Sequence, residues 1–334
     1  MARHLTLPCA MKHRLPFLAL LAVSIAIAAC SSPGPTAKGE PAEAAAVKPA
    51  LRAPTMADTK ALDVPGVHNI VAYAPGVFSG SVPEGAKGFD SLAAMGIKTV
   101  ISVDGATPDL AEARKHGMRY IHLPIGYDTV PEDRAKALAQ ALASVDGPVY
   151  MHCHHGKHRS AAAASVACIA TGRTTPEEAT RRMKEISGTT ANYSGLYAVV
   201  QATKPMDKDS LRIDPSTLPE VTKVSGLVAT MVELDVVFDN LKALNGAEWQ
   251  VPKDHPDLVP AKEARRAATL FRGLHDDAES NAYPADYQQW LNRSIEDADA
   301  IAKAVDAGDA KEAALRFQSL GKTCKECHKP YRDQ

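Results

Sequence analysis

Tyr150 to Ser160, which read Tyr-Met-His-Cys-His-His-Gly-Lys-His-Arg-Ser, constrain this 334-residue chain more than any other stretch. Gly147 to Met151 lead in as a short apolar run that predicts a buried strand. The Ala-rich run Ser160 to Ala170 leads out as a helix. A strand, a tight loop and a helix N-terminus together make an anion site, because the first amides of the helix have no partner within it and the macrodipole places partial positive charge there. Cys153 lies where the loop leaves the strand, and the helix end with Arg159 favours the nucleophilic thiolate. Gly156 lets the loop curl with its amides inward. Arg159 presents a planar fork to two phosphate oxygens.

The pattern HCxxGxxRS, filled here by His152, Cys153, Gly156, Arg159 and Ser160, resembles the phosphate loop of the dual-specificity branch of the cysteine-dependent protein tyrosine phosphatases. That resemblance implies that Cys153 is the nucleophile, that Arg159 and the loop (His154, His155, Gly156, Lys157, His158) hold phosphate, and that Ser160 assists departure of the sulfur. It also implies a general acid on a loop upstream, after an earlier strand. In Ile125 to Val130 the choice is Asp128, with Asp133 and Asp104 as rivals. Lys157 and the three histidines His154, His155 and His158 raise the positive potential over the pocket, which favours strongly anionic or multiply phosphorylated substrates. Because lipid-directed members of the resembled family also carry basic residues in this loop, the resemblance implies inositol phosphates and phospholipids beside phosphoproteins. Two blander readings stand beside this one. His152, Cys153, His154, His155 and His158 form a tract that a metal could use, and a phosphatase fold can bind phosphate without cleaving it.

Around the loop, the expected order of elements is a strand at Val77–Ser81, a helix at Gly88–Met95, a strand at Ile97–Val103 and a helix at Asp109–His116. A strand at Met118–Pro124 and a helix at Pro131–Ser144 precede the central strand, and helices at Thr175–Ile186 and Ser194–Thr203 follow. Strands alternating with helices imply a mostly parallel central sheet flanked by helices on both faces, an α/β domain over residues 64–203.

Residues 219–334 change to a helical period. Val224, Leu227, Met231, Leu234, Phe238 and Leu241 recur at three- and four-residue steps. Ala261–Leu274 and Ala285–Ala307 give two more helices, and Asp309 with Glu312 opens a fourth, which implies an all-α four-helix bundle. On the last helix Ala313, Phe317, Leu320, Cys324, Cys327 and Tyr331 fall on one stripe. Cys324-Lys-Glu-Cys327-His328 is a c-type haem attachment sequence, in which two thiols bond the haem and His328 ligates its iron as the axial metal ligand. With Tyr331 and Arg332 after it, this half resembles the cytochrome c′ family, which implies covalent haem c. Met231 stands where that family places either a sixth ligand or an apolar residue that leaves the iron open to a small gas.

Arg3, Lys12 and Arg14 precede the uncharged apolar run Leu15 to Ala29, the form of an export signal. Ile27-Ala-Ala-Cys30 resembles the lipobox of bacterial lipoproteins. The implied layout is a signal peptide over 1–29, lipidation at Cys30, and a periplasmic location on a membrane, the outer rather than the inner. A Pro- and Ala-rich disordered tether over 30–63 and a polar linker over 204–218 complete the plan. Of six cysteines, Cys9 lies in the leader and carries no assignment, and Cys168 reads as a small buried apolar residue. Lys and Arg number 38 against 39 Asp and Glu, so no global charge points to nucleic acid as a partner.

Overall fold

The structure is a computed structural model and describes residues 51–253 and 255–332. The export signal, Cys30 and the first part of the expected tether lie outside the described residues.

The first half runs β1 (Leu62–Val64), β2 (Val67–Ala74), β3 (Val77–Gly80), α1 (Gly85–Ala94), β4 (Thr99–Ser102), α2 (Leu110–Lys115), β5 (Arg119–His122), α3 (Glu132–Ser144), β6 (Val149–His152) and α4 (Arg159–Ala170). Then come α5 (Pro176–Arg181), a π-turn at Arg182–Ile186 and α6 (Ser194–Ala202). Six strands form one sheet in the order β1-β2-β3-β6-β4-β5. Strands β3, β6, β4 and β5 are mutually parallel, and β1 and β2 extend the sheet antiparallel. The fold is therefore the expected α/β class with a mostly parallel sheet.

Alternation along the strands feeds two cores. Val149, Met151 and Cys153 face the side covered by α3, α4 and α6, and Tyr150 faces the side covered by α1 and α2. Helix α4 is buried along its whole length. Its run of alanines answers that position, because a helix packed between a sheet and three other helices has room only for small side chains.

Two expected flexible segments are in fact packed. The tether was expected to reach residue 63, but Leu51, Ala53, Met56 and Leu62 pack on the domain and β1 pairs with β2. The fully buried Arg182 donates to the carbonyls of Ala72 and Met56, which pins this segment down. The segment 204–218 is likewise a strap. Leu211 and Leu218 are buried, Met206 N donates to Ala170 O at 2.8 Å, and Gln140 reaches Ser210 O at 3.0 Å. Short apolar residues spaced among charges anchored both stretches, a signal too sparse for periodicity to detect.

The second half holds four long helices, α7 (Gly226–Gly246), α8 (Pro260–Gly273), α10 (Ala285–Asp306) and α11 (Ala310–Tyr331), with a single extra turn, α9 (Ala278–Asn281). Asp309 caps α11 by accepting from Glu312 N at 3.0 Å. Leu234, Val237 and Leu241 of α7, Ala264 and Phe271 of α8, Leu291 and Ile301 of α10, and Phe317 of α11 share one core.

Candidate functional site: a phosphate loop beside a haem-attachment helix

The loop between β6 and α4 is held from outside by its carbonyls. His154 O accepts from Val82 N at 3.1 Å, Gly156 O from Asn69 Nδ2 at 3.0 Å, and Lys157 O from Thr189 Oγ1. A trans peptide points its C=O and the following N–H in opposite directions, so these bonds turn the amides of His155, Lys157 and His158 to the inner side. Gly156 has φ +74°, and a Cβ there would run into the backbone of Gly80 and Ser81.

Cys153 is buried at the mouth of this cradle, with Sγ 3.4 Å from Ser160 Oγ. Ser160 Oγ in turn accepts from Ser79 Oγ at 3.1 Å and sits 3.4 Å from Gly80 O. The buried Arg159 donates through Nη2 to Asp104 Oδ2 at 2.8 Å, and its Nε finds no acceptor among the described residues. A guanidinium with one edge anchored and one donor spare is poised to accept an oxyanion.

The structure gives Asp104 a role beyond that of a rival acid. Its Oδ2 also accepts from His154 N at 2.6 Å, and its Oδ1 accepts from Ala106 N at 3.2 Å. Burial works to raise this carboxyl, but Arg159 and the amides outweigh it and hold Asp104 below the ordinary carboxylate value. Burial likewise opposes the charge on Arg159, yet Asp104 and Tyr127 raise its pKa above the ordinary value. Asp128 is exposed on the loop after β5, where its carboxylate folds back over Gly126 and its carbonyl packs against Gly195. Asp133 is exposed in the first turn of α3, away from any hydrogen bond to the loop.

Two aromatic residues not singled out from the sequence wall this site. Arg159 Cζ lies 4.3 Å from the Tyr127 ring centroid, and the Tyr127 and Tyr193 rings are 5.2 Å apart. Burial pushes the Tyr127 hydroxyl up to about 12 and the His158 imidazole down to about 4. His152, behind the nucleophile, is pushed down to about 4 by complete burial and bonds Tyr120 Oη through Nε2. Cys168 is fully buried on α4, and burial pushes its thiol up to about 12, which suits a structural role.

The bundle reaches the same wall. Arg332, at the end of α11, lies with Cζ 4.8 Å from the Tyr127 centroid and donates to Tyr193 Oη at 3.3 Å. Cys324 and Cys327 are free thiols turned toward the bundle core, pushed by burial up to about 12 and about 11. The same core takes in Met231, Phe238 and Phe317, and Tyr283, Tyr287 and Trp290 pack on Tyr331, whose Oη donates to Asp286 at 2.7 Å. Two uncombined thiols three residues apart, an adjacent imidazole and an apolar aromatic lining fit a covalently held haem.

Comparison with known proteins likewise gives the two halves different relatives. Residues 73–213 match the family model described as "Swiss Army Knife protein, DSP-PTPase phosphatase domain", and residues 264–332 match the model "Cytochrome C'". A curated relative, a beta-lactamase hydrolase-like protein of Agrobacterium fabrum, is 32% identical over 77 residues, 20% of this chain and 18% of the relative, so the chain spans under a fifth of that protein. Among solved structures, P. aeruginosa TpbA is 24% identical, with 47% of this chain and 97% of that one covered and a TM-score of 0.38. The core catalytic domain of the S. cerevisiae PP-IP phosphatase SIW14 is 14% identical, with 44% and 90% covered and a TM-score of 0.35.

Proposed function

We propose that this chain, which joins a dual-specificity-type protein tyrosine phosphatase domain to a C-terminal cytochrome c′ domain, is a periplasmic, lipid-anchored phosphomonoester hydrolase whose haem domain regulates it or carries electrons. The single observation that carries the hydrolase reading is the convergence of Cys153 Sγ, the Ser160 hydroxyl at 3.4 Å, the spare Nε of Arg159 and the inward amides on one small cradle. Cys153 attacks phosphorus while Arg159 and the amides hold the equatorial oxygens, and Asp128 gives its proton to the leaving oxygen. Water then cleaves the phosphocysteine, with Ser160 donating to the departing sulfur. The substrate is a phosphomonoester on a protein, a lipid or an inositol.

Cys324 and Cys327 would hold haem c by thioethers and His328 would ligate its iron, which would supply a one-electron couple, with Met231 as the candidate for a further iron ligand. Arg332 stands four residues beyond His328 and packs on Tyr127, which packs on Arg159, so a change at the haem has a short path of touching side chains to the phosphate site. The export signal and Cys30 support the periplasmic membrane location.

A second reading makes the protein an electron-transfer or gas-binding cytochrome with a phosphate-binding module that does not hydrolyse. It is favoured by Asp104, whose carboxylate already takes one loop amide and Arg159. The test is phosphate release by the haem-loaded chain from an aryl phosphate and from panels of phosphopeptides and phosphoinositides, with the haem ferric, ferrous and gas-bound. Cys153→Ser should abolish release while keeping oxyanion binding and the haem spectrum, and Asp128→Asn should lower kcat by roughly 10²- to 10⁴-fold. No release from the parent would refute the hydrolase, and equal rates in every haem state would dismiss regulation.

A further inference from the structure

Two of the loop histidines do not face the phosphate cradle alone. The His154 and His155 rings meet edge to face, with centroids 4.4 Å apart, at the surface where helix α7 crosses the loop. His154 Nε2 lies 3.6 Å from Asp239 Oδ2 and 3.8 Å from Asp235 Oδ2. Asp235 and Asp239 are four residues apart on α7 and so share one helix face. One donor atom from each of His154, His155 and Asp239 falls within 4.8 Å of the other two. Donors on one tetrahedral zinc ion stand about 3.3 Å apart, so side-chain rotations of roughly 1 Å complete the shell.

The backbone behind these donors is already fixed. Val82 and Asp104 hold His154 by its carbonyl and its amide, and Asn69 holds Gly156. The crossing itself is close, since a Cβ on Gly105 would meet the side chain of Val228 and lie 3.3 Å from Val232 of α7.

We infer that His154, His155 and Asp239, with Asp235 or water as the fourth ligand, form a site for a divalent transition cation of the zinc class that fastens the haem-attachment bundle to the phosphate loop. Two imidazoles and one or two carboxylates suit zinc, and all of the protein donors come from elements that the fold brings together across the crossing. A cation there ties the loop that cradles phosphate to α7, so it slows phosphate release. That consequence rests on the hydrolase reading, whereas the binding does not.

The experiment uses the full haem-loaded chain, stripped by a chelator and titrated calorimetrically with zinc chloride. The bound ion is then examined by X-ray absorption at the zinc edge. One zinc per chain with a shell of nitrogen and oxygen is expected, and Asp239→Asn should weaken binding at least 10-fold while leaving metal-free phosphate release unchanged. Zinc inhibition of release should weaken in that variant by the same factor. Equal affinity in parent and Asp239→Asn, or sulfur in the zinc shell with binding lost in Cys153→Ser, would overturn the assignment. The titration reads the site whether or not phosphate is released, so failure of the hydrolase reading and failure of this one are told apart.

Discussion

Replacing Asp104 by Asn tests whether this carboxylate exists to hold Arg159. Its side chain is 7% exposed, and Oδ2 takes the Arg159 Nη2 donor at 2.8 Å and the His154 amide at 2.6 Å. Removing one partner of a buried ion pair costs ~3–5 kcal/mol, most of it the price of a buried charge left without compensation. Asparagine keeps one oxygen able to accept a hydrogen bond, so the expected loss is ~2–3 kcal/mol. In a folded body of this size that lowers the melting temperature by roughly 5–10 °C, read by far-ultraviolet circular dichroism. The diagnostic part is the response to an oxyanion. Tungstate brings negative charge to a guanidinium that has lost its own, so it should raise the melting temperature of Asp104→Asn more than that of the parent. A variant as stable as the parent, or one that gains no more than the parent from tungstate, would refute the argument.

Acid should destabilise the fold through His152. Its folded pKa, about 4, is below the ordinary 6.5 because burial disfavours the cation, so the unfolded chain binds the proton first as pH falls. The contribution is complete above pH 6.5 and is lost between 6.5 and about 4, amounting to ~3 kcal/mol, with a smaller share from the less buried His158. Urea unfolding at stepped pH measures it, and His152→Gln should flatten the profile. Gly156→Ala forces a Cβ at φ +74° into the Gly80 and Ser81 backbone, which should cost ~3 kcal/mol or more and abolish oxyanion binding, measured by urea unfolding and tungstate titration.

What could be read from the sequence was local, and what could not depended on registry between distant strands. The β6–loop–α4 unit runs from Val149 to Ala170, a single local stretch, and its chemistry follows from the spacing of Cys153, Gly156 and Arg159. Asp104 is different. It meets His154 because β4 and β6 pair in parallel with Ser102 opposite His152, which places the two residues just past the strand ends side by side. Sequence position marked Asp104 as a carboxylate near the site but not as the partner of Arg159. Tyr127 and Tyr193 lie on loops whose paths no periodicity fixes. Strands β1 and β2 escaped because Asn69, at φ 55°, interrupts the alternation, and its side chain is spent on the carbonyls of Gly156 and Ser187. In the bundle the stripe from Ala313 to Tyr331 was visible, because one helix face carries it all.

The sheet also determines where additions to the chain are tolerated. Strand β1 forms one margin, where Arg182 pins the incoming segment, and β5 forms the other, where Pro219 and Thr222 bond to His122 and lead into the bundle. Whatever precedes residue 51 is thus attached at the sheet margin opposite the departure point of the second half. Tags, spacers or whole passenger proteins spliced ahead of Leu51 should leave the crossing between loop and α7 undisturbed, whereas even a short insertion between Pro219 and Ser225 would reposition everything that follows.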